Sequence, residues 1–161
     1  METLYFDVLQ FLYHLALAVL VGGALALGTA AAPAIFATAR SRSEAGTIFG
    51  ATLARFDGAA IFAVVVLALT SFLKAASFEV TGSPDARLLA RWAALLLLGA
   101  ATLYSSAWAN PVAREIRSRT PRFDELPSSA PERVEFAKLH ARSRRAMTLA
   151  VLVGLLALFV S

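Results

Sequence analysis

The chain has 161 residues, 58% of them hydrophobic and 16% charged, with a mean hydropathy of +0.68 and a formal net charge of +4, which is too apolar for a soluble domain of this size. It contains no cysteine, so disulfides, thiolate metal ligands and cysteine nucleophiles are excluded together. Four apolar runs, at about 8–36, 59–78, 88–109 and 146–160, set against a hydrocarbon core that takes about 20 helical residues, predict an all-α polytopic membrane protein: one domain over 1–161, a bundle of four transmembrane helices.

The first run follows METLYFD, which carries Glu2 and Asp7 and no cation. A cleaved signal would begin with Lys or Arg, so this run is read as a retained span. At about 100° per residue, Asp7, Gln10, His14, Ala18, Leu25, Gly28 and Ala32 share one helical face, and such a face should look toward protein, because an ionisable group facing lipid is costly. Two readings of His14 stay open: a ligand or proton site in the outer half of the span, or a neutral imidazole bonded to a neighbouring helix. Pro33 should kink or end this helix.

The second helix is expected from near Glu44 to about Phe78, protruding beyond the membrane at its start. Gly46, Gly50, Ala54 and Gly58 recur every fourth residue, a stripe that lets another backbone approach. Packing inside the monomer is favoured over a dimer interface, with Ala24, Gly28 and Ala32 as the partner surface. In ARFDG, Arg55 and Asp57 are expected either to join a polar network with His140 and Ser143 or to be ordinary interfacial charges.

Arg91 and Trp92 at the outer end of the third helix read as an interface anchor. Tyr104 and Asn110 lie deeper and could hydrogen-bond across the bundle; Pro111 matches Pro33 at the helix end. The connection RSRTPRFDELPSSAPERVEF holds Pro121, Pro127 and Pro131 and is read as a surface loop, with Pro131 opening a new helix. In the last helix His140 shares a face with Arg133, Phe136, Ser143, Arg144, Met147 and Gly154. Its strictly apolar part after Ala146 is short, so Arg142, Arg144 and Arg145 must snorkel to the interface.

Charge sets the orientation. If the first and third connections share a side, that side collects twelve cations, Arg40 through Arg145, and leaves Lys74, Arg87 and Arg91 opposite. Basic loops stay in the cytoplasm, so both termini are expected outside an inner (plasma) membrane, and the lipid bilayer rather than nucleic acid accounts for the basic balance. The two prolines, each followed by a basic connection and a returning helix, suggest a faint repeat of a helical hairpin. His14 and His140 are expected about 20 Å apart along the axis, too far to share a metal within one subunit. No nucleophile–base–acid set, phosphate loop or carboxylate pair is visible, so no enzyme activity is expected.

His14 ahead of Gly22 and Gly23, then Pro33 and Phe36, Ala45 and Gly46, Phe49 with Arg55 and Phe56, Asn110 and Pro111, and Phe136, His140 and Ser143 resemble the four-helix membrane proteins of domain of unknown function 4149, related to animal transmembrane protein 205. The chain departs at Ala141 and Arg142, where Gly and an apolar residue are the family pattern. The resemblance implies four membrane helices and little chemistry; the animal relative's association with resistance to platinum drugs implies export or trafficking. A looser likeness to CopD-type copper-resistance membrane proteins implies copper. The expectation is therefore a transporter-like or accessory membrane protein without a cofactor, with a polar interior running from His14 toward Arg55 and His140. Gly22, Gly23, Gly28, Gly46, Gly50 and Gly58 are its helix-packing positions, and a homodimer follows if it transports. The alternatives are a copper or haem carrier, with His14 as the candidate ligand, and a structural subunit of a larger membrane complex.

Overall fold

Two prolines that a straight α-helix cannot absorb set the local geometry. Proline lacks the N–H that bonds back four residues, and its ring collides with that carbonyl. In the computed structural model, which describes residues 2–80 and 82–161, the helix nevertheless runs past both prolines. Helix α1 (Glu2–Ala26) passes through a π-helical turn, Leu27–Ala31, into α2 (Ala32–Thr38), which carries Pro33. Helix α4 (Ala86–Leu103) passes through a π-helical turn, Tyr104–Ala109, into α5 (Asn110–Arg119), which carries Pro111. The wider i→i+5 register gives the carbonyls below each proline other donors, so of the two outcomes expected at Pro33, kinking or ending, the helix does not end there, and it likewise continues past Pro111. Both π turns stop two residues short of their proline, a parallel between the two halves that goes beyond the prolines themselves.

The returning helices start on caps. Ser41 accepts from the Glu44 amide (3.1 Å) and the Glu44 carboxylate accepts from the Arg40 amide (2.8 Å), satisfying orphan donors at the start of α3 (Arg42–Lys74). A third π turn, Ala75–Glu79, ends that rod, close to the expected span of Glu44 to Phe78. Asp85 accepts from the Leu88 amide (2.7 Å) to start α4, and Pro131 opens α6 (Pro131–Phe159) in the first turn.

The described residues form helices and connections, with no strand among them. Three continuous rods, Thr3–Thr38, Arg42–Glu79 and Ala86–Arg119, are long and apolar enough to cross a membrane. Helix α6 has 29 residues, charged over its first half and apolar after Arg145.

Side chains are distributed inside out. Phe62 (69% exposed), Phe72 (69%), Leu96 (75%) and Phe159 (82%) point away from the protein, while Asp57, Lys74, Arg91 and Asn110 are buried. Water would reverse that arrangement; hydrocarbon favours it. Around the bundle α1 lies between α3 and α6, and α6 lies against α4. On the remaining side α3 and α4 part, leaving an apolar groove of about 980 Å³ walled by Phe72, Trp92 and Leu95. The centre is filled by Leu17, Leu20, Ala63, Leu67, Leu98 and Ala157.

Close helix contact is made by fewer glycines than the spacing suggested. A Cβ on Gly23 would meet the Phe56 ring, one on Gly46 would meet Arg117 Nη1 at 2.6 Å, and one on Gly154 would meet Val21 Cγ2 at 2.5 Å. Gly22, Gly28, Gly50 and Gly58 face open space, and Ala54 and Gly58 are exposed. The Gly46-to-Gly58 stripe is therefore not an internal packing surface along its length, and Gly28 is no partner for it: Gly46 packs on Arg117 of α5, while Gly50 and Gly58 meet nothing.

Candidate functional site

Polar side chains gather at both ends of the bundle. At the end holding the termini, Lys74 from α3 donates to the Gln10 side chain from α1 and lies 3.4 Å from Glu79, which also pairs with Arg91 from α4. Both cations lie over the Tyr13 ring, Lys74 at 4.7 Å and Arg91 at 5.9 Å from its centroid. Lys74 and Arg91 are 2% and 7% exposed, so two buried cations share one carboxylate and an aromatic face, which offsets part of their desolvation. Arg91 is thus an internal residue and not the surface anchor its neighbour Trp92 suggested.

His14 sits at the edge of this cluster. Its Nδ1 is 2.9 Å from the Gln10 carbonyl and its Nε2 is 3.3 Å from Ser161 Oγ. The carbonyl can only accept, so Nδ1 carries the proton. In a neutral ring Nε2 then accepts, and the Ser161 hydroxyl donates either to it or to the Leu158 carbonyl at 2.8 Å. Asp7 is exposed, as are Ala18, Leu25 and Gly28. The expected face is therefore split: Gln10 and His14 reach Lys74 and Ser161, while Asp7, Ala18, Leu25 and Gly28 look outward, and the buried face of α1 is carried by Leu9, Tyr13, Ala16, Leu17, Leu20 and Val21.

At the other end a buried hydrogen-bond chain joins three rods. Arg114 Nη1 donates to Asp57 Oδ2 (2.6 Å) and Asn110 Nδ2 donates to Asp57 Oδ1 (2.8 Å). Ser143 Oγ donates to Asn110 Oδ1 (2.6 Å). Having given its one proton there, Ser143 must accept from Ser105 Oγ at 2.7 Å. Asp57, Asn110, Ser143 and Ser105 are thus linked donor to acceptor through the buried part of this chain, an arrangement that fixes helix register. The π turn carries Ser105, Ser106 and Ala109 on its buried side ahead of Asn110.

Three residues expected in this network are outside it. Arg55 is exposed, because two residues along a helix put it about 200° from Asp57. Tyr104 is 36% exposed and packs on Trp108 with ring centroids 5.3 Å apart, turned toward the lipid side. His140 does not bond to the chain either; its ring lies flat against Phe136 (5° between planes, centroids 6.1 Å apart). Ser161, which His14 contacts, is 21 residues past His140 in sequence, so the histidines are roughly 30 Å apart along the axis, farther than the roughly 20 Å expected.

Above the network lies a cavity of about 490 Å³. Its floor includes Asn110 and Arg114, and five arginines line it: Arg42, Arg114, Arg117, Arg133 and Arg144. Arg117 donates to Asp124 (2.8 Å) and to the Ser43 carbonyl (3.2 Å), and Ser43 donates to Asp124 (2.6 Å). These bonds draw the first and third connections together. Phe123, 6% exposed, is clamped under the third connection by Phe136 (5.1 Å) and by the guanidinium groups of Arg133 (5.3 Å) and Arg117 (5.7 Å).

The family model described as domain of unknown function (DUF4149) matches residues 15–121. The chain belongs to the DUF4149 family. The match takes in the bundle from α1 to the end of α5, and with it Asp57, Ser105, Asn110, Arg114 and Arg117, while His14, Ser143 and the arginines of α6 lie outside the matched stretch. Neither the curated proteins nor the solved structures contain a match to this DUF4149 chain.

Several residues of the two clusters escaped the sequence reading. Lys74 and Glu79 lay in or beside an apolar run, where an ionisable group signals a polar contact; Lys74 entered only as a charge of the outer loop. Ser105 gave no signal beyond being polar. Arg114 sits four residues past Asn110, one helical turn on, which places both on one face.

Proposed function

We propose that this DUF4149 protein is an integral membrane protein of four membrane helices that acts as a binding or accessory protein, without bond-making chemistry and without a conducting path in one subunit. In this reading α6 is the fourth span, its apolar part short and its arginines snorkelling, and Leu149, Leu152, Leu155 and Phe159, all exposed, are its lipid face. The basic end lies in the cytoplasm and both termini outside the plasma membrane.

The observation that supports a binding over a conducting role is the apolar layer between the two polar ends. Leu17, Leu98 and Ala157 have no exposed surface, and Leu20 and Leu67 are 4% and 3% exposed. A polar interior running from His14 to His140 would need water or polar groups at this level. Copper and haem draw no support from His14, since both of its ring nitrogens have protein neighbours. Among the described residues no three of His, Cys, Asp and Glu gather as metal donors would.

The test is flux. Vesicles containing the purified chain and a trapped pH dye should dissipate an imposed proton or salt gradient no faster than protein-free vesicles. A rate that rises with protein content and falls in His14→Ala would refute the sealed reading.

A further inference from the structure

Arginines at a membrane surface have water and headgroups on all sides and repel one another, so convergence on one concavity needs a reason. The connections supply the geometry here: the Ser43, Arg117 and Asp124 bonds and the clamped Phe123 fold the third connection over the cavity. The cations in it are only partly answered. Arg114 is taken by Asp57 and Arg117 by Asp124, while Arg133 donates to the backbone carbonyls of Phe123 (3.3 Å) and Asp124 (3.4 Å). Arg42 and Arg144 have no carboxylate within 4.0 Å among the described residues. Among the described residues, Asp124 is the one carboxylate lining the cavity against five guanidinium groups.

From this geometry we propose that the cavity is a binding site for a phosphate-bearing anion, held by Arg42 and Arg144 with Arg133 beside them. Guanidinium groups match phosphate oxygens with paired N–H donors and keep their charge at any working pH. The volume of about 490 Å³ is several times that of a bare phosphate ion, which displaces only a few waters of about 30 Å³ each. The remainder of the wall is apolar, with Phe36, Phe49 and Phe136 around it, and suits an uncharged or apolar body attached to the phosphate. A lipid headgroup with its glycerol portion has that chemistry, and so has a soluble phosphate ester. Basic pockets between membrane helices are suited to anionic headgroups, and the charge excess makes carboxylate-poor, anion-rich surroundings the matching partner.

The inference rests on the binding role proposed above but not on which side of the membrane the cavity faces. Its failure is distinguishable: tight vesicles with no phosphate binding would leave the sealed layer standing and remove the ligand.

The experiment is calorimetric titration of the full chain in neutral detergent with three probes: inorganic phosphate, dioctanoyl phosphatidic acid and dioctanoyl phosphatidylcholine. Phosphatidic acid should bind, and the R42Q/R144Q double variant should weaken it about tenfold or more, the loss of two charge-assisted contacts. Arg145→Gln removes one charge at an exposed position outside the cavity lining and should change affinity less than about twofold. Thermal melting of each variant reports whether it folds; among the described residues neither Arg42 nor Arg144 has a carboxylate partner to lose. Binding of phosphatidic acid alone assigns the site to a lipid headgroup, and equal binding of inorganic phosphate assigns it to a soluble phosphate compound. No binding of either, equal binding of phosphatidylcholine, or affinity that R42Q/R144Q leaves unchanged overturns the proposal.

Discussion

Replacing Arg114 by Gln should destabilise the protein more than replacing Asp57 by Asn, although the two residues form one ion pair. The asymmetry comes from exposure: the Arg114 side chain is 35% exposed and that of Asp57 only 4%. Without Arg114, the Asp57 carboxylate remains buried with the single Asn110 amide donor at 2.8 Å, and an uncompensated buried charge costs about 3–5 kcal/mol. Solvent at the open side of Arg114 reduces that to roughly 2–3 kcal/mol. Without the carboxylate charge, Arg114 can turn to water, and an Asn at 57 still accepts from Asn110, leaving a loss of about 1 kcal/mol. At about 2–4 °C per kcal/mol for a chain of this length, the expected falls in melting temperature are about 4–12 °C for Arg114→Gln and about 2–4 °C for Asp57→Asn. Combining the two should give a protein close to Asp57→Asn alone, because the charge that needed Arg114 is gone. Circular dichroism melts in one detergent at one pH measure all three. Equal shifts for the two single variants, or a double variant worse than Arg114→Gln, would refute the claim that a buried carboxylate anchors this end of the bundle.

Other substitutions separate packing from open surface. Gly154→Ala puts a methyl 2.5 Å from Val21 Cγ2 and 2.7 Å from Leu98 Cδ1, and should cost about 1–3 kcal/mol in the same melts, whereas Gly58→Ala, which meets nothing, should raise stability by up to about 1 kcal/mol through helix propensity. If the exposed Ala54 and Gly58 surface forms a homodimer, Gly58→Leu should lower the dimer mass in native mass spectrometry without moving the melt. Desolvation within the cavity, and then the Arg144 charge, holds the His140 pKa below 6.5, so the ring is neutral at pH 7 and gains a positive charge as the pH falls through its lowered value. The charged groups lining the cavity with it are Arg42 from α3, Arg114 and Arg117 from α5, Asp124 from the connection, and Arg133 and Arg144 from α6. Affinity for a phosphodiester lipid, whose charge is constant, should rise as the pH falls from 7 through the lowered His140 value, and His140→Gln should abolish the rise.

Helix positions were legible because apolar runs of membrane length leave few alternatives, and α3 runs close to its expected bounds. The π turns were not, since Pro33 and Pro111 announce a disturbed hydrogen-bond ladder without saying whether the helix breaks or widens. Tyr104, at the start of the second π turn, faces outward while Ser105 and Asn110 face in. Asp57, Asn110 and Ser143 stood out as polar residues beside apolar runs, yet their mutual contact depends on the register of three rods set far apart in sequence. Arg55 illustrates the limit from the other side: adjacency to Asp57 in ARFDG is not adjacency in a helix. The stripe of Asp7, Gln10 and His14 turned inward only in part: Gln10 and His14 join the cluster at the termini while Asp7 is exposed. Polarity alone did not orient α1, and the larger apolar surface of Tyr13, Leu17 and Leu20 took the buried side. The cavity was hidden because its arginines come from α3, α5 and α6, and in sequence they are indistinguishable from cations that merely mark a cytoplasmic loop.

Whether α6 crosses the membrane decides the four-span account most directly. The cysteine-free chain permits a clean measurement: a single cysteine in place of Ser128 in the third connection, or of Ser161 at the C-terminal end of α6, probed in intact cells with a membrane-impermeant maleimide. Four spans predict that Ser161→Cys is labelled from outside and Ser128→Cys only after the cells are opened. Labelling of both positions from the same side would contradict a fourth span.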